Sequence, residues 1–288
     1  MTRIRSTDKS RIDDRRGQSG GGIGLPGGFP IPGGIKAGGG LLGLIVVVAS
    51  LLLPKLLGAG DSSSLSTDTG DSSSTSCETE LEQIVCGVTN DVQDYWAQAL
   101  PDAFGVEYEQ TETVWFSGGV STGCGQASSQ TGPFYCPADH LVYIDLGFMQ
   151  QLENELVGST SDLAEQYILA HEYGHHVQNL LGTDDAVQRA ASQDSDLGRQ
   201  YSIAMELQAD CYAGVWVGAR NVLESEAELD EAIRAAEGVG DDRIQQKTQG
   251  RVDPESWTHG SAEQRKQWFV TGYNTMDPRS CDTFAEIG

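Results

Sequence analysis

The 288-residue chain holds five histidines, and three of them fall in one hexapeptide, His171-Glu172-Tyr173-Gly174-His175-His176. His171, Glu172 and His175 form an H-E-x-x-H pattern. On a helix, positions i and i+4 share a face, so both imidazoles reach one divalent ion, while the acid after the first histidine turns to the flank where a water would lie. With five His and 19 Glu in the chain, shuffled sequences produce this pattern only about 0.6 times per hundred. A match preceded by apolar Tyr167, Ile168 and Leu169 therefore points to a metal site rather than to a solvated His/Glu face. The chemistry is metal-assisted hydrolysis, with His171 and His175 as Zn2+ ligands and Glu172 as the general base that accepts a water proton.

A catalytic zinc takes a third protein ligand and keeps one position open. The metzincin extension would need Gly at 178 and His at 181, where this chain has Gln178 and Leu181. Further on, Glu206 and Asp210 stand at i, i+4 among Ala204, Leu207, Ala213 and Val215. Two acids in such company are costly to bury unless a cation or hydrogen bonds meet them. Glu206 is the candidate third ligand and Asp210 the partner that fixes the tautomer of a ligand histidine; the two roles could be exchanged. The oxyanion of a hydrolytic intermediate also needs a donor, for which His259 and Tyr173 are candidates. His176 faces away from His171 on the helix, and His140, ahead of a strand, is read as structural.

These residues must be positioned by helices. Helical spacing with Asp162 and Glu165 at its start and Gly182 at its end predicts one helix over 161–181, and a second is predicted over 197–219. An earlier helix is predicted from Thr79 to Ala99, stopped by Pro101, and others over 227–237 and 262–269, with a polar loop between. Val114-Trp115-Phe116 and Leu141-Val142-Tyr143-Ile144 read as strands. The fold class is α+β and mostly helical.

The formal charge is −24, from 18 Lys and Arg against 42 Asp and Glu, which speaks against nucleic acid as a partner. Residues 1–36 carry seven basic residues and three acids, a balance of +4, whereas residues 58–288 carry ten and 39, a balance of −29. Between Lys36 and Lys55 lie 18 uncharged residues, many of them Leu, Ile or Val. As a helix they would just span a bilayer. The sequence therefore predicts a disordered Gly-rich cytoplasmic tail over 1–36, a single transmembrane anchor over 37–57, a Ser/Gly-rich linker over 58–76 and a folded domain over 77–288. A cleaved signal peptide is the plainer alternative, but the segment before the apolar core is long for one. Basic residues before the run keep the N-terminus cytoplasmic and export the domain. All six cysteines follow the run, as disulfides in an oxidising compartment require. Short loops suggest the pairs Cys77–Cys86 and Cys124–Cys136, and leftover pairing then suggests Cys211–Cys281.

Several motifs occur together: TGCG (122–125), GPFYCPAD (132–139), VYID (142–145), HEYGHHVQ (171–178), ELQADC (206–211) and HGSAEQR (259–265). With the Asp13-Asp14-Arg15-Arg16-Gly17 box, the glycine-rich tail and the apolar segment, they resemble the bacterial neutral zinc metallopeptidase family over nearly the whole chain. The resemblance implies a membrane-anchored zinc peptidase acting on a peptide or protein, with His171, His175 and Glu206 as ligands and Glu172 as base. By analogy with zincin-like folds, the strand Val142 to Ile144 would be an edge that binds extended substrate by backbone pairing. The alternative is a membrane-anchored zinc-binding scaffold or chaperone-like protein without turnover, in which Glu172 would have no task.

Overall fold

The computed structural model describes residues 4–17, 74–152, 162–223, 225–285 and 287. The elements in order are strand β1 (Ile12–Asp14), helix α1 (Glu80–Phe104), strands β2 (Thr113–Phe116), β3 (Gly119–Thr122), β4 (Gly125–Ser128), β5 (Phe134–Cys136) and β6 (Leu141–Asp145), then helices α2 (Leu146–Leu152), α3 (Asp162–Leu181), α4 (Thr183–Gln193), α5 (Ser195–Ala219), α6 (Glu226–Gly238), α7 (Asp241–Gln249) and α8 (Ala262–Thr275). The described fold is α+β and mostly helical, as predicted. The predicted anchor over 37–57 lies outside the described residues. Among the described residues no helix is long and apolar enough to cross a membrane.

A four-stranded sheet runs β1-β2-β6-β5, with β1, β2 and β6 parallel and β5 antiparallel to β6; β3 and β4 form a separate hairpin. Strand β6 therefore lies inside the sheet, and the reading of Val142 to Ile144 as an edge is corrected. Its residues from Val142 to Asp145 are all buried, the pattern of a strand covered on both faces. The outer strands are β5 and β1. One large core joins α1, α3, α5, α6 and α8 to the sheet around Trp96, Trp115, Tyr173, Tyr212, Trp216 and Phe269.

Local chemistry sets the helix ends. Thr79 and Glu82 form a reciprocal capping box at the start of α1. The helix continues through Pro101 and ends at Gly105, whose φ of 68° suits a residue without Cβ. The predicted stop at Pro101 thus fell one turn early, because near the end of a helix proline removes a single bond and the turn still closes. Asp194 caps α5, accepting from the N–H groups of Asp196 and Leu197. Helices α2, α4 and α7 were not predicted; α7 occupies the stretch read as a polar loop. All three cysteine pairs are as suggested: Cys77–Cys86, Cys124–Cys136 and Cys211–Cys281. The second ties the β3–β4 turn to the end of β5, and the third ties α5 to the C-terminal segment.

The first part of the predicted disordered tail is instead ordered. Residues 4–17 lie along α1 and β2, and β1 extends the sheet with Ile12, Asp13 and Asp14 opposite Thr113, Val114 and Trp115. Sequence patterning misses this because the arm has few apolar residues and is held by ion pairs to distant acids, among them Arg16 to Glu82 at 2.7 Å and Arg5 to Asp162 at 2.7 Å. Helix α1 accommodates the arm at Gly87, where a Cβ would stand 2.7 Å from the Arg5 Cα. Alanine in a bare helix interior stabilises by about 1 kcal/mol over glycine. Gly87→Ala is expected to do the reverse, lowering the unfolding free energy of the full chain by about 1–3 kcal/mol through overpacking, as measured by urea denaturation.

Candidate metal centre

Helices α3 and α5 cross closely at Gly174, where an added Cβ would lie 3.1 Å from the Ala209 Cα and carbonyl oxygen. This approach lets side chains one turn to either side meet. His171 and His175 project from α3, and Glu206 projects from α5. The His171 Nε2 is 3.3 Å from Glu206 Oε2, the His175 Nε2 is 3.5 Å from Glu206 Oε1, and the two Nε2 atoms are 3.2 Å apart. One ligand atom from each of the three residues lies within 4.8 Å of the others, and all three residues are buried.

The surrounding hydrogen bonds decide which atoms point inward. The Asp210 carboxylate can only accept, so His171 donates its Nδ1–H to Asp210 Oδ1 at 2.9 Å. The amide of Gln178 is oriented by donating to the Met205 carbonyl at 2.7 Å, which leaves its Oε1 to accept from His175 Nδ1 at 2.8 Å. In the neutral tautomers that these bonds select, both Nε2 atoms carry lone pairs, and both face a carboxylate. Three acceptors converging in a buried space fit a divalent cation, and two imidazoles with one carboxylate are a zinc donor set.

The carboxylate of Asp210 is itself anchored. Arg265, on α8, donates to it through Nε at 2.7 Å and Nη2 at 2.8 Å, and Tyr167 donates to the same carboxylate. Burial alone would raise the Asp210 pKa, but the Arg265 and His171 charges hold it below its usual range. Burial likewise disfavours a charged His171, yet the Asp210 carboxylate outweighs it and lifts the imidazole to about 10. For His175 burial outweighs the opposing Glu206 carboxylate and depresses the imidazole to about 4. Glu206 is held down, against the cost of burial, by His175 and His171.

Glu172 turns to the flank of the histidine pair. The residue is 5% exposed, and its buried Oε2 has no hydrogen-bond partner among the described residues. Burial pushes it up to about 7, against the opposing effect of His171. It lines one cavity with His171, Glu206, His259 and Arg265, whose walls also include Phe148, Ile168, Val239 and Ile244. His259 is anchored by Asp241, the first residue of α7. The Asp241 Oδ1 lies 3.0 Å from His259 Nδ1, and Oδ2 accepts the backbone N–H groups of Thr258, His259 and Gly260 at 2.7, 2.6 and 3.2 Å.

Every predicted site residue except Tyr173 is thus found at one place: His171, Glu172, His175, Glu206, Asp210 and His259. Tyr173 lies in the core, its hydroxyl 2.8 Å from that of Thr113, so it is no oxyanion donor. The reason is angular, since Tyr173 falls on the far side of α3 from His171. His176 packs between the Tyr135 hydroxyl and the Glu109 carbonyl, and His140 occupies a tight turn at φ 61°. Arg265, Tyr167, Gln178 and Asp241 were given no role from the sequence. The signal available for Arg265 was a lone cation closing the HGSAEQR box at the start of an amphipathic helix.

Two imidazoles one turn apart, joined by an acid from a following helix, define the H-E-x-x-H class of metal centres. The chain belongs to the family described as putative neutral zinc metallopeptidase, whose profile matches residues 1–284. It is similar to uncharacterized protein YpfJ of Escherichia coli K12, 41% identical over 287 residues covering 97% of each chain. It is also similar to uncharacterized protein Rv2575 of Mycobacterium tuberculosis H37Rv, 45% identical over 218 residues covering 71% of each. No solved structure matches significantly.

Zinc competition titrations should separate the roles at this centre. Glu206→Ala is expected to abolish stoichiometric binding, and Asp210→Asn to weaken it about 10- to 100-fold. Arg265→Ala leaves the Asp210 charge buried without its cation and should cost about 3–5 kcal/mol in denaturation.

Proposed function

We propose that the chain is a zinc-dependent peptidase that hydrolyses peptide bonds with Glu172 as general base, in an oxidising compartment. The observation that carries this reading is the Glu172 carboxyl, buried beside the three metal-ligating side chains with one oxygen unpartnered. A site that only stored metal would have no use for such a group, because burying it costs free energy and its hydrogen bond from the Tyr135 N–H leaves the second oxygen unmet. Membership of the zinc metallopeptidase family supports the choice of metal and reaction, and three disulfides support the compartment.

His171, His175 and Glu206 would hold Zn2+, which when bound supplies Lewis acidity toward a water and a scissile carbonyl. The free Glu172 oxygen accepts a proton from the attacking water and returns it to the leaving amine, a task for which a pKa near neutrality is suited. His259 would act on the opposite side of the cavity. Its Nδ1 is committed to Asp241, so its Nε2 edge is the one left to face the reacting group and a developing oxyanion. Apolar Phe148, Ile168, Val239 and Ile244 suit an apolar substrate side chain next to the scissile bond.

The test is digestion of an unfolded-protein mixture by the full chain. Chelator should abolish cleavage and added zinc restore it. Glu172→Gln should retain zinc and lose at least about a hundredfold in kcat. His259→Ala should retain zinc and lose about 100- to 1000-fold in kcat with little change in KM. Zinc binding without any chelator-sensitive cleavage, or a Glu172→Gln protein as active as the parent, would leave the scaffold reading in its place.

A further inference from the structure

The predicted topology puts residues 1–36 and the folded domain on opposite sides of a membrane, and the sheet does not allow it. We infer that residues 4–17 and the folded domain occupy the same compartment, so that the 56 residues between Gly17 and Ser74 (18–73) leave and return on one side.

The arm is built into the domain along its whole described length. The Ser6 N–H donates to the Gln83 carbonyl at 2.9 Å, and the Cys77 N–H donates to the Thr7 carbonyl at 3.1 Å. Thr113 donates to the Arg11 carbonyl at 3.0 Å, and Arg15 donates to the Trp115 carbonyl at 2.8 Å, flanking the β1–β2 ladder. Lys9 and Arg16 both pair with Asp14, at 2.8 and 2.6 Å, and both stand over the Trp115 ring. Arg16 also meets Glu82, whose side chain is 3% exposed. An ion pair this deep cannot be broken cheaply, because either partner left alone would be a buried, uncompensated charge. A chain crossing the membrane once between Gly17 and Ser74 could make none of the contacts between arm and domain, whether the arm docked on its own domain or on a second copy.

The same contacts account for the charges that suggested the opposite topology. Basic residues before an apolar run orient a single crossing when they are free to stay behind. Here every described cation of the arm has an acidic partner: Arg5 with Glu80 and Asp162, Lys9 with Asp14, Arg11 with Asp94, Arg15 with Asp13, and Arg16 with Asp14 and Glu82. Their positive charge is paired with acids, deeply at Lys9 and Arg16 and on the surface at Arg5 and Arg11. An even number of crossings above zero would need two spans of about 20 apolar residues each, and of the segment's two long uncharged runs, 18–35 and 37–54, only the second is rich in Leu, Ile and Val, the first being Gly- and Pro-rich. A single complete crossing between arm and domain is therefore incompatible with the docked arm. Because Cys77 both bonds to the arm backbone and closes a disulfide, the arm shares the oxidising side with the domain. The inference rests on the sheet and is independent of the peptidase reading.

The experiment places one added cysteine in the full chain, at exposed Ser10 or Thr7 in the arm or at exposed Ser192 in the domain, and expresses each variant in bacterial cells. Spheroplasts are treated with a membrane-impermeant maleimide before and after permeabilisation. The expected result is labelling of Ser10→Cys, Thr7→Cys and Ser192→Cys to within about twofold of one another in intact spheroplasts. Labelling of all three only after permeabilisation would keep arm and domain together and overturn the outward placement. Labelling of Ser192→Cys in intact spheroplasts, with both arm positions reacting only after permeabilisation, would overturn the inference. The thermal midpoint of detergent-extracted Gly87→Ala gives a second reading: a fall reports an arm docked on α1, and a rise reports a bare helix and counts against it.

Discussion

Two imidazole nitrogens and a carboxylate that present lone pairs to one another inside a protein repel unless a positive charge lies among them, and the rest of the domain is arranged around that constraint. The repulsion is large because water is excluded and the dielectric is low. The orientation of the lone pairs is enforced from behind, by Asp210 on His171 and by Gln178 on His175. Neither histidine can turn its protonated nitrogen inward without giving up a buried hydrogen bond. The hydrogen-bonding shell has therefore chosen the charge of the ligand that fits.

Maintaining that shell requires a second balance. Asp210 is fully buried, and a lone carboxylate there would be untenable; the bidentate Arg265 on α8 compensates it, and Tyr167 on α3 fills a further lone pair. One chain of charge thus links α3, α5 and α8. The Cys211–Cys281 bond starts one residue after Asp210 and secures the segment that follows α8. Gly174 completes the arrangement from the other side by letting α3 and α5 approach until their side chains meet. The centre is accordingly a product of helix crossings, and the small sheet contributes chiefly through β5, whose Tyr135 N–H donates to the Glu172 carboxyl.

How much of this was legible in the sequence follows from how local each signal is. His171 and His175 are one turn apart, so a helix alone unites them, and their spacing suffices. Glu206 and Asp210 were legible because acids among apolar neighbours break the expected pattern. Arg265 was not, since a single arginine on an amphipathic helix is ordinary until its partner 55 residues away is known. Asp241 failed for the same reason: it begins a helix that reads as a polar loop, and its meaning comes from the N–H groups of Thr258 to Gly260. Strand β6 was found but misplaced as an edge, because nothing in Leu141 to Ile144 reveals that β5 pairs outside it.

The arm is the instructive case, because its composition was read correctly and its docking on the domain was not foreseen. Few apolar residues and many cations describe a solvated tail when only local burial is considered. A strand can equally be bound through backbone hydrogen bonds and ion pairs if the surface it meets is acidic, and residues 58–288 are acidic by 29 charges. Part of the domain's negative charge meets the arm's positive charge in one interface, through Arg5 with Glu80 and Asp162, Arg11 with Asp94 and Arg16 with Glu82. Its ion pairs at Arg5 reach Asp162, the first residue of α3, so the same electrostatics that recruits the arm to the sheet also touches the helix that carries both ligand histidines. A local feature of the sequence far from the H-E-x-x-H pattern is in this way part of the frame that holds it.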